Sequence, residues 1–156
     1  MRVLIFGKTG QVGTELRRLF LDQSDVLALG KDDEGGDLTN LNTLKYCIKK
    51  FQPDVVFNAA AFTKVDVAET QRSLAHLINV DAVREIAIAC SDVGSLLVHY
   101  STDYIFDGDG ESYIKEDVEP HPINYYGYTK YLGEKETWRA SAIRNIGNKP
   151  DRKSVV

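Results

Sequence analysis

Short, unbroken apolar runs alternate along this chain with segments whose apolar residues recur every three or four positions. Val3-Leu4-Ile5-Phe6 is the first run, Val26 to Leu29 the second, Val55-Val56-Phe57 the third and Leu96-Leu97-Val98 the fourth. Between them, Val12, Leu16, Leu19 and Phe20 predict one helix, and Leu41, Leu44, Ile48 and Phe51 a second. Leu74, Leu77, Ile78, Val83, Ile86 and Ala87 predict a long helix from about Ala68 to Cys90, and a further helix is predicted from Tyr126 to Trp138. A strand apolar at every position is covered on both faces, as in a parallel sheet with helices on either side. The expected fold is therefore α/β, a doubly wound parallel sheet of Rossmann-like type with right-handed crossovers.

Residues 1–138 read as one dinucleotide-binding domain. Phe106 to Pro122, rich in Gly, Asp, Glu and Pro, reads as an exposed loop. From Arg139 to Val156, five basic residues face the single acid Asp151, and the segment reads as an irregular basic tail. Ala142-Ile143-Arg144 reads within it as the remnant of a strand.

With 156 residues the chain is long enough for one domain with a substantial core. Its 43% apolar and 27% charged content is that of a soluble globular protein, and a net charge of −4 argues against nucleic-acid and membrane-surface partners. The first apolar run is too short for a signal core or a membrane span, so a cytoplasmic location is expected. Cys47 and Cys90 lie far apart in helical patterns and read as buried free thiols.

Gly7-Lys8-Thr9-Gly10-Gln11-Val12-Gly13 follows the first strand and opens the first helix. Gly7, Gly10 and Gly13 suit a tight turn, close backbone approach to a pyrophosphate and helix–strand contact. The helix start supplies N–H groups and partial positive charge for phosphates. No Gly-Lys-Ser/Thr closes the motif, so it is not a P-loop. At the end of the second strand, Gly30 stands where an acid would meet the ribose of NAD, and Lys31 follows, which leans toward NADP. Asp37 reads as an acceptor for an adenine amino group or as a cap for the helix at Leu41, with Thr39 and Asn40 competing. Asn58-Ala59-Ala60-Ala61 ends the third strand in small residues that let a cofactor approach. Thr63 and Asp66 read equally as contacts or caps. Asn79 reads as a core residue bonding backbone, with a relay role as the alternative.

Strand four leads into His99-Tyr100-Ser101-Thr102-Asp103-Tyr104. Tyr126 and Lys130 stand four residues apart on the last helix and so share a face. An ammonium there is expected to favour the phenolate and bring Tyr126 nearer to neutral pH. Carbonyl reduction needs a hydride source, a proton donor and a hydroxyl anchor. Tyr126 fits the donor, Thr102 the anchor, and Lys130 a grip on the nicotinamide ribose. For Thr102 the competing reading is a turn cap, and for Tyr126 a packed aromatic. His99 reads as buried structure.

These segments, with Val65-Asp66, Ala68-Glu69, Ser101 to Gly108, Tyr126 to Lys130 and Gly133-Glu134, together resemble the dTDP-4-dehydrorhamnose reductase family of extended short-chain dehydrogenase/reductases. The likeness runs from Met1 to about Trp138. It implies reduction of the 4-keto group of dTDP-4-dehydro-L-rhamnose to dTDP-L-rhamnose with NADPH or NADH. It also implies Tyr126 as proton donor, Lys130 as its partner and Thr102 as the hydroxyl that tunes it. Gly10, Gln11, Val12, Asp37, Leu38, Ala61, Phe62, Thr63 and Tyr100 fall at cofactor positions, and Thr102 and Asp103 where the sugar is held. Glu15 matches a position that some members use for Mg²⁺ at a dimer contact, so a homodimer is a possible partner state; no metal is assigned to this chain. Family members are nearly twice this length, and most of the carboxyl-terminal substrate region is absent here. A non-catalytic dinucleotide-binding regulatory subunit and an inactive fragment are the alternative readings.

Overall fold

The computed structural model describes residues 1–22, 25–109, 114–115 and 118–144, the last four by their backbone alone. Four parallel strands form one sheet in the order β2-β1-β3-β4: β1 Arg2–Phe6, β2 Asp25–Leu29, β3 Val55–Asn58 and β4 Leu96–His99. Helix α1 spans Gln11–Phe20 and α2 spans Leu41–Phe51. Two short helices, α3 Val65–Ala68 and α4 Arg72–His76, precede a π turn at Leu77–Asp81 and the helix α5 Ala82–Val93. A 3-10 turn at Asp103–Ile105 follows β4, and α6 runs over Tyr125–Arg144.

The alternation of side chains along a strand divides the core. Leu4 and Phe6 of β1 and Val56 of β3 pack with Leu44 and Ile48 of α2 and with Ile86, Ala89 and Cys90 of α5. Their neighbours are covered as well: Val3 and Ile5 are fully buried, and the ring of Phe57 lies 5.5 Å from that of Phe20 on α1. β1 is thus sealed on both faces, which is why its apolar run is unbroken. β4, at the sheet edge, is less enclosed, and Leu96 is 62% exposed. Among the described residues, no helix is long and apolar enough to cross a membrane. Both cysteines are free, and Cys90 is buried, which pushes its thiol up to about 12.

Two expected elements differ. The long helix from Ala68 is broken: the hydroxyl of Thr70 bonds the carbonyl of Val67, and α4 begins only at Arg72. The turn at Leu77–Asp81 is wider than an α-turn, with the N–H of Ala82 reaching back to Leu77 O. The last helix is longer than its apolar pattern suggests. It extends to Arg144, so 139–144, including Ala142-Ile143-Arg144, is helical and neither irregular nor extended. The remainder of the expected tail lies outside the described residues. The described parts of the expected loop, 106–109, 114–115 and 118–122, contain no helix or strand.

Candidate functional site

The chain leaves β1 through Gly7, whose φ is +87°. The N–H groups of Gly7 and Lys8 both donate to Leu29 O, at 2.8 and 3.1 Å, tying the turn to the end of β2. A Cβ on Gly7 would lie 2.7 Å from Ala59 O, and one on Gly13 would lie 2.1 Å from Gly7 O. Only glycine fits the positive φ at the first position and the backbone contact at the second. Gly10 precedes α1 without a side chain to cap it. The first N–H groups of α1, and the positive end of its dipole, are left for an external anion.

Beside this turn lies a cleft of about 350 Å³. Gly7, Gly10, Asp37, Leu38, Ala61 and Thr63 line it, joined by Gly30 and Lys31 from the end of β2. Six of the sequence-predicted cofactor residues therefore share one cavity. Gln11 and Val12 instead line a groove on the outer side of α1 with Leu16 and Leu19, while Gly13 is buried. The Asp37 carboxylate accepts from the N–H and hydroxyl of Thr39 at 2.9 and 2.8 Å, and the first of these bonds holds it below the usual carboxylate range. Asn40 is the residue that caps α2, accepting from Thr43 N at 3.4 Å.

Asn79 lies in the π turn. Its side chain is buried, accepts from Phe62 N at 2.8 Å, and donates to Phe62 O at 3.1 Å and to the Thr129 hydroxyl at 3.0 Å. One carboxamide thereby fixes the backbone of the Ala61-Phe62-Thr63 segment against α6. Gly133 allows that approach, since a Cβ there would lie 2.4 Å from Asn79 O.

The second cluster forms where β4 meets α6. The Thr102 hydroxyl accepts from Tyr104 N at 3.3 Å, capping the 3-10 turn, donates to the Asp103 carboxylate at 3.2 Å, and lies near enough to the Tyr126 phenol to act on it. The cap and the site residue are thus one group. Tyr126 is 9% exposed and meets the edge of Tyr104 at 5.7 Å between ring centroids. The expected lowering of its pKa is not found. The phenol lies above its ordinary value: burial is the main cause, Asp103 and Tyr104 add to it, and the Thr102 hydroxyl opposes it. Lys130 is not among the groups acting on the phenol. Its Nζ is buried and donates to Tyr100 O at 2.5 Å. Burial lowers Lys130 to about 8, against the opposing pull of Glu134.

Glu134 takes no role from the Gly133-Glu134 motif alone. It is buried, accepts from the Ser101 hydroxyl, and sits one turn beyond Lys130. The spacing of Lys130 and Glu134 was the available signal. Glu69 accepts from Tyr125 N at 2.6 Å, and Asn124 from Gly127 N at 2.7 Å, so both anchor the start of α6. His99 is 2% exposed; its Nδ1 accepts from Asn58 Nδ2 at 3.2 Å, and its Nε2 has no partner among the described residues. Burial holds it neutral, well below the ordinary imidazole range. Tyr125 lies under the Arg72 guanidinium at 4.9 Å, a surface contact away from Thr102. Among the described residues, no group of three or more His, Cys, Asp or Glu is placed to hold a metal ion, and Glu15 pairs with Arg18 at 2.7 Å.

A family described as the RmlD substrate binding domain matches residues 1–146. The dTDP-4-dehydrorhamnose reductase of Shigella flexneri is 44% identical over 137 residues, which are 86% of this chain and 46% of that protein. Methionine adenosyltransferase 2 subunit beta of Xenopus laevis is 39% identical over 140 residues, 86% of this chain and 42% of that protein. Among solved structures, a dTDP-4-dehydrorhamnose reductase from Bacillus anthracis in complex with NADP superposes with a TM-score of 0.84 at 38% identity, covering 89% of this chain and 49% of that one. The chain thus spans about half the length of the curated relatives it matches. With the glycine turn, Thr102, Tyr126 and Lys130 all within the matched residues, this chain belongs to the RmlD substrate-binding-domain family.

Proposed function

We propose that this chain carries the dinucleotide and proton-transfer half of an NAD(P)H-dependent dTDP-4-dehydrorhamnose reductase, converting dTDP-4-dehydro-L-rhamnose to dTDP-L-rhamnose. The carrying observation is the placement of Thr102 beside the Tyr126 phenol, beyond the carboxyl end of β4 on the sheet edge that also bears the glycine turn. The Shigella and Bacillus relatives support the reading through their names, and the latter through its NADP.

The residues fit the cofactor, because Gly7 and Gly13 let the turn pack tightly against neighbouring backbone and Gly10 opens α1 with no side chain over the helix N–H groups that a pyrophosphate needs. A nicotinamide dinucleotide, when bound, supplies the hydride. Gly7 and Gly10 receive its phosphates at the start of α1 with the N–H groups of Gln11, Val12 and Gly13. Asp37, Leu38, Ala61, Phe62, Thr63 and Tyr100 flank its remaining length. Lys130 holds the nicotinamide ribose. Thr102 and Asp103 receive the sugar, and the Thr102 hydroxyl orients its carbonyl. Tyr126 gives its phenolic proton to the carbonyl oxygen. Its raised pKa keeps it protonated at neutral pH, which suits the reductive direction.

Loss of NADPH absorbance in the presence of dTDP-4-dehydro-L-rhamnose tests the reading. Tyr126→Phe is expected to lower turnover roughly 10²–10⁴-fold, with dinucleotide affinity changed by no more than a few-fold. Folded chain that binds dinucleotide and never turns over sinks the catalytic reading.

The likeness to a methionine adenosyltransferase subunit favours a second reading, a non-catalytic dinucleotide-binding regulatory subunit. Under it, Tyr126→Phe alters neither dinucleotide binding nor complex formation with a partner.

A further inference from the structure

At the end of β2 the residue expected to meet a ribose is Gly30, which has no side chain. The structure fills its place from further along. The Asp33 carboxylate folds back, and its Oδ2 accepts from Gly30 N at 2.6 Å. The same carboxylate is held by Lys8, whose Nζ lies 2.6 Å from Oδ2 and 2.9 Å from Oδ1. Lys8 belongs to the glycine turn after β1, so the ion pair bridges the two loops that frame one end of the cleft. Gly30 and Lys31 line that cleft. A Cβ on Gly30 would lie 3.4 Å from Lys8 Cε and 3.5 Å from Asp33 Oδ2, so the pair stands where a residue-30 side chain would begin. Both side chains are about a third exposed, at 32% and 34%, and so are open to a ligand.

We propose that the Lys8–Asp33 pair is the specificity device for the adenosine ribose, with Asp33 acting as an internal stand-in for a 2′-phosphate. This rests on the dinucleotide reading above. A dinucleotide laid with its pyrophosphate on the glycine turn places its adenosine ribose over the end of β2. A free 2′-hydroxyl then donates to Asp33 while the Lys8 pair stays closed. A 2′-phosphate brings two negative charges to the same point. It binds only if Lys8 leaves Asp33 and turns to the phosphate, with the Asp33 carboxylate still nearby. The pair therefore favours the unphosphorylated cofactor, against the lean toward NADP that Lys31 alone suggests. Asp33, three residues past the position where the acid is usually sought, carries the discrimination.

Isothermal titration of the full chain with NADPH and with NADH tests this. Asp33→Asn keeps an acceptor for Gly30 N and removes the charge. It is expected to raise NADPH affinity about tenfold relative to NADH, the scale of one close charge pair at a partly exposed site. Lys8→Met is expected to weaken NADPH about tenfold and NADH no more than about threefold. In the double variant Lys8→Met/Asp33→Asn, the NADPH gain of Asp33→Asn disappears, because the gain depends on a released Lys8. A NADPH-to-NADH ratio within twofold of wild type in both single variants overturns the proposal and marks the pair as structural only. A gain that persists in the double variant also overturns it, showing a general charge effect. If wild type binds neither dinucleotide, the cofactor reading itself fails; that outcome is distinct, since no ratio then exists to change.

Discussion

The glycine turn and the β4–α6 junction meet at one sheet edge yet are made of different material. The turn is backbone: Gly7 and Gly13 pack against carbonyls of Ala59 and Gly7, and β2 holds the loop through Leu29 O. The junction is side chain, with Asn79, Thr129, Lys130, Glu134 and His99 all buried and mostly bonded to one another or to nearby backbone. A turn built of backbone tolerates changes of pH and fails when an atom is added. A junction of buried titratable groups tolerates small changes of shape and fails when a partner or a proton is removed.

Gly13→Ala should break the first region outright. Its methyl group meets a backbone carbonyl that cannot move aside, so a loss of about 3 kcal/mol is expected in urea unfolding at any pH between 6 and 9, together with loss of the melting-temperature gain that NADPH confers. Asn79→Leu strikes the second region. It strands Phe62 N–H and C=O, and about 2–3 kcal/mol should be lost, with NADPH-induced stabilisation weakened and not abolished.

The pH dependence separates the regions further. His99 has a folded pKa below its ordinary value of 6.5, so the unfolded chain binds the extra proton and stability falls as pH drops through and below that value. Lys130 has a folded pKa of about 8 against an ordinary 10.5, so stability rises with pH across that interval. Each slope is bounded by about 1.4 kcal/mol per pH unit. His99→Gln should flatten the acid slope, and Lys130→Met the alkaline one. A milder variant retaining the glycine turn's fold, Thr9→Ser, should leave both slopes intact. Outside either region, Gln52 closes α2 with φ +50°. Gln52→Gly should stabilise the fold by about 0.5–1 kcal/mol, and a similar change in NADPH affinity would show that the two regions are coupled to distant parts of the fold.

The backbone region was the more legible in sequence. Gly7-x-x-Gly10-x-x-Gly13 announces a turn because no other residue fits, and the apolar run Val3 to Phe6 announces a strand because both its faces are covered. At the junction the residue types were visible and their partners were not. Tyr126 and Lys130 share a helix face, but the fold sends the ammonium to Tyr100 O and buries the phenol, so the expected pKa direction reversed. Burial raises the phenol's pKa, and Asp103 and Tyr104, which no spacing rule places beside Tyr126, add to the rise. The break at Thr70 and the wide turn at Leu77–Asp81 were hidden for a similar reason. Local apolar periodicity reads as one helix, while the Thr70 hydroxyl bonds back to Val67 O at the break and Asn79, in the wide turn, reaches Phe62 and Thr129. Asp33 lies three residues beyond Gly30, and only the folded loop brings its carboxylate back to that position.

The π turn makes this protein unusually sensitive to spacing in one place. It carries an additional residue in its loop of hydrogen bonds, compared with an ordinary helical turn. Deleting a single residue between Leu77 and Asp81 would let the chain wind smoothly from α4 into α5. The carboxamide would swing off Phe62, and the strip of polypeptide flanking the cleft would lose its tether while every strand of the sheet kept its sequence.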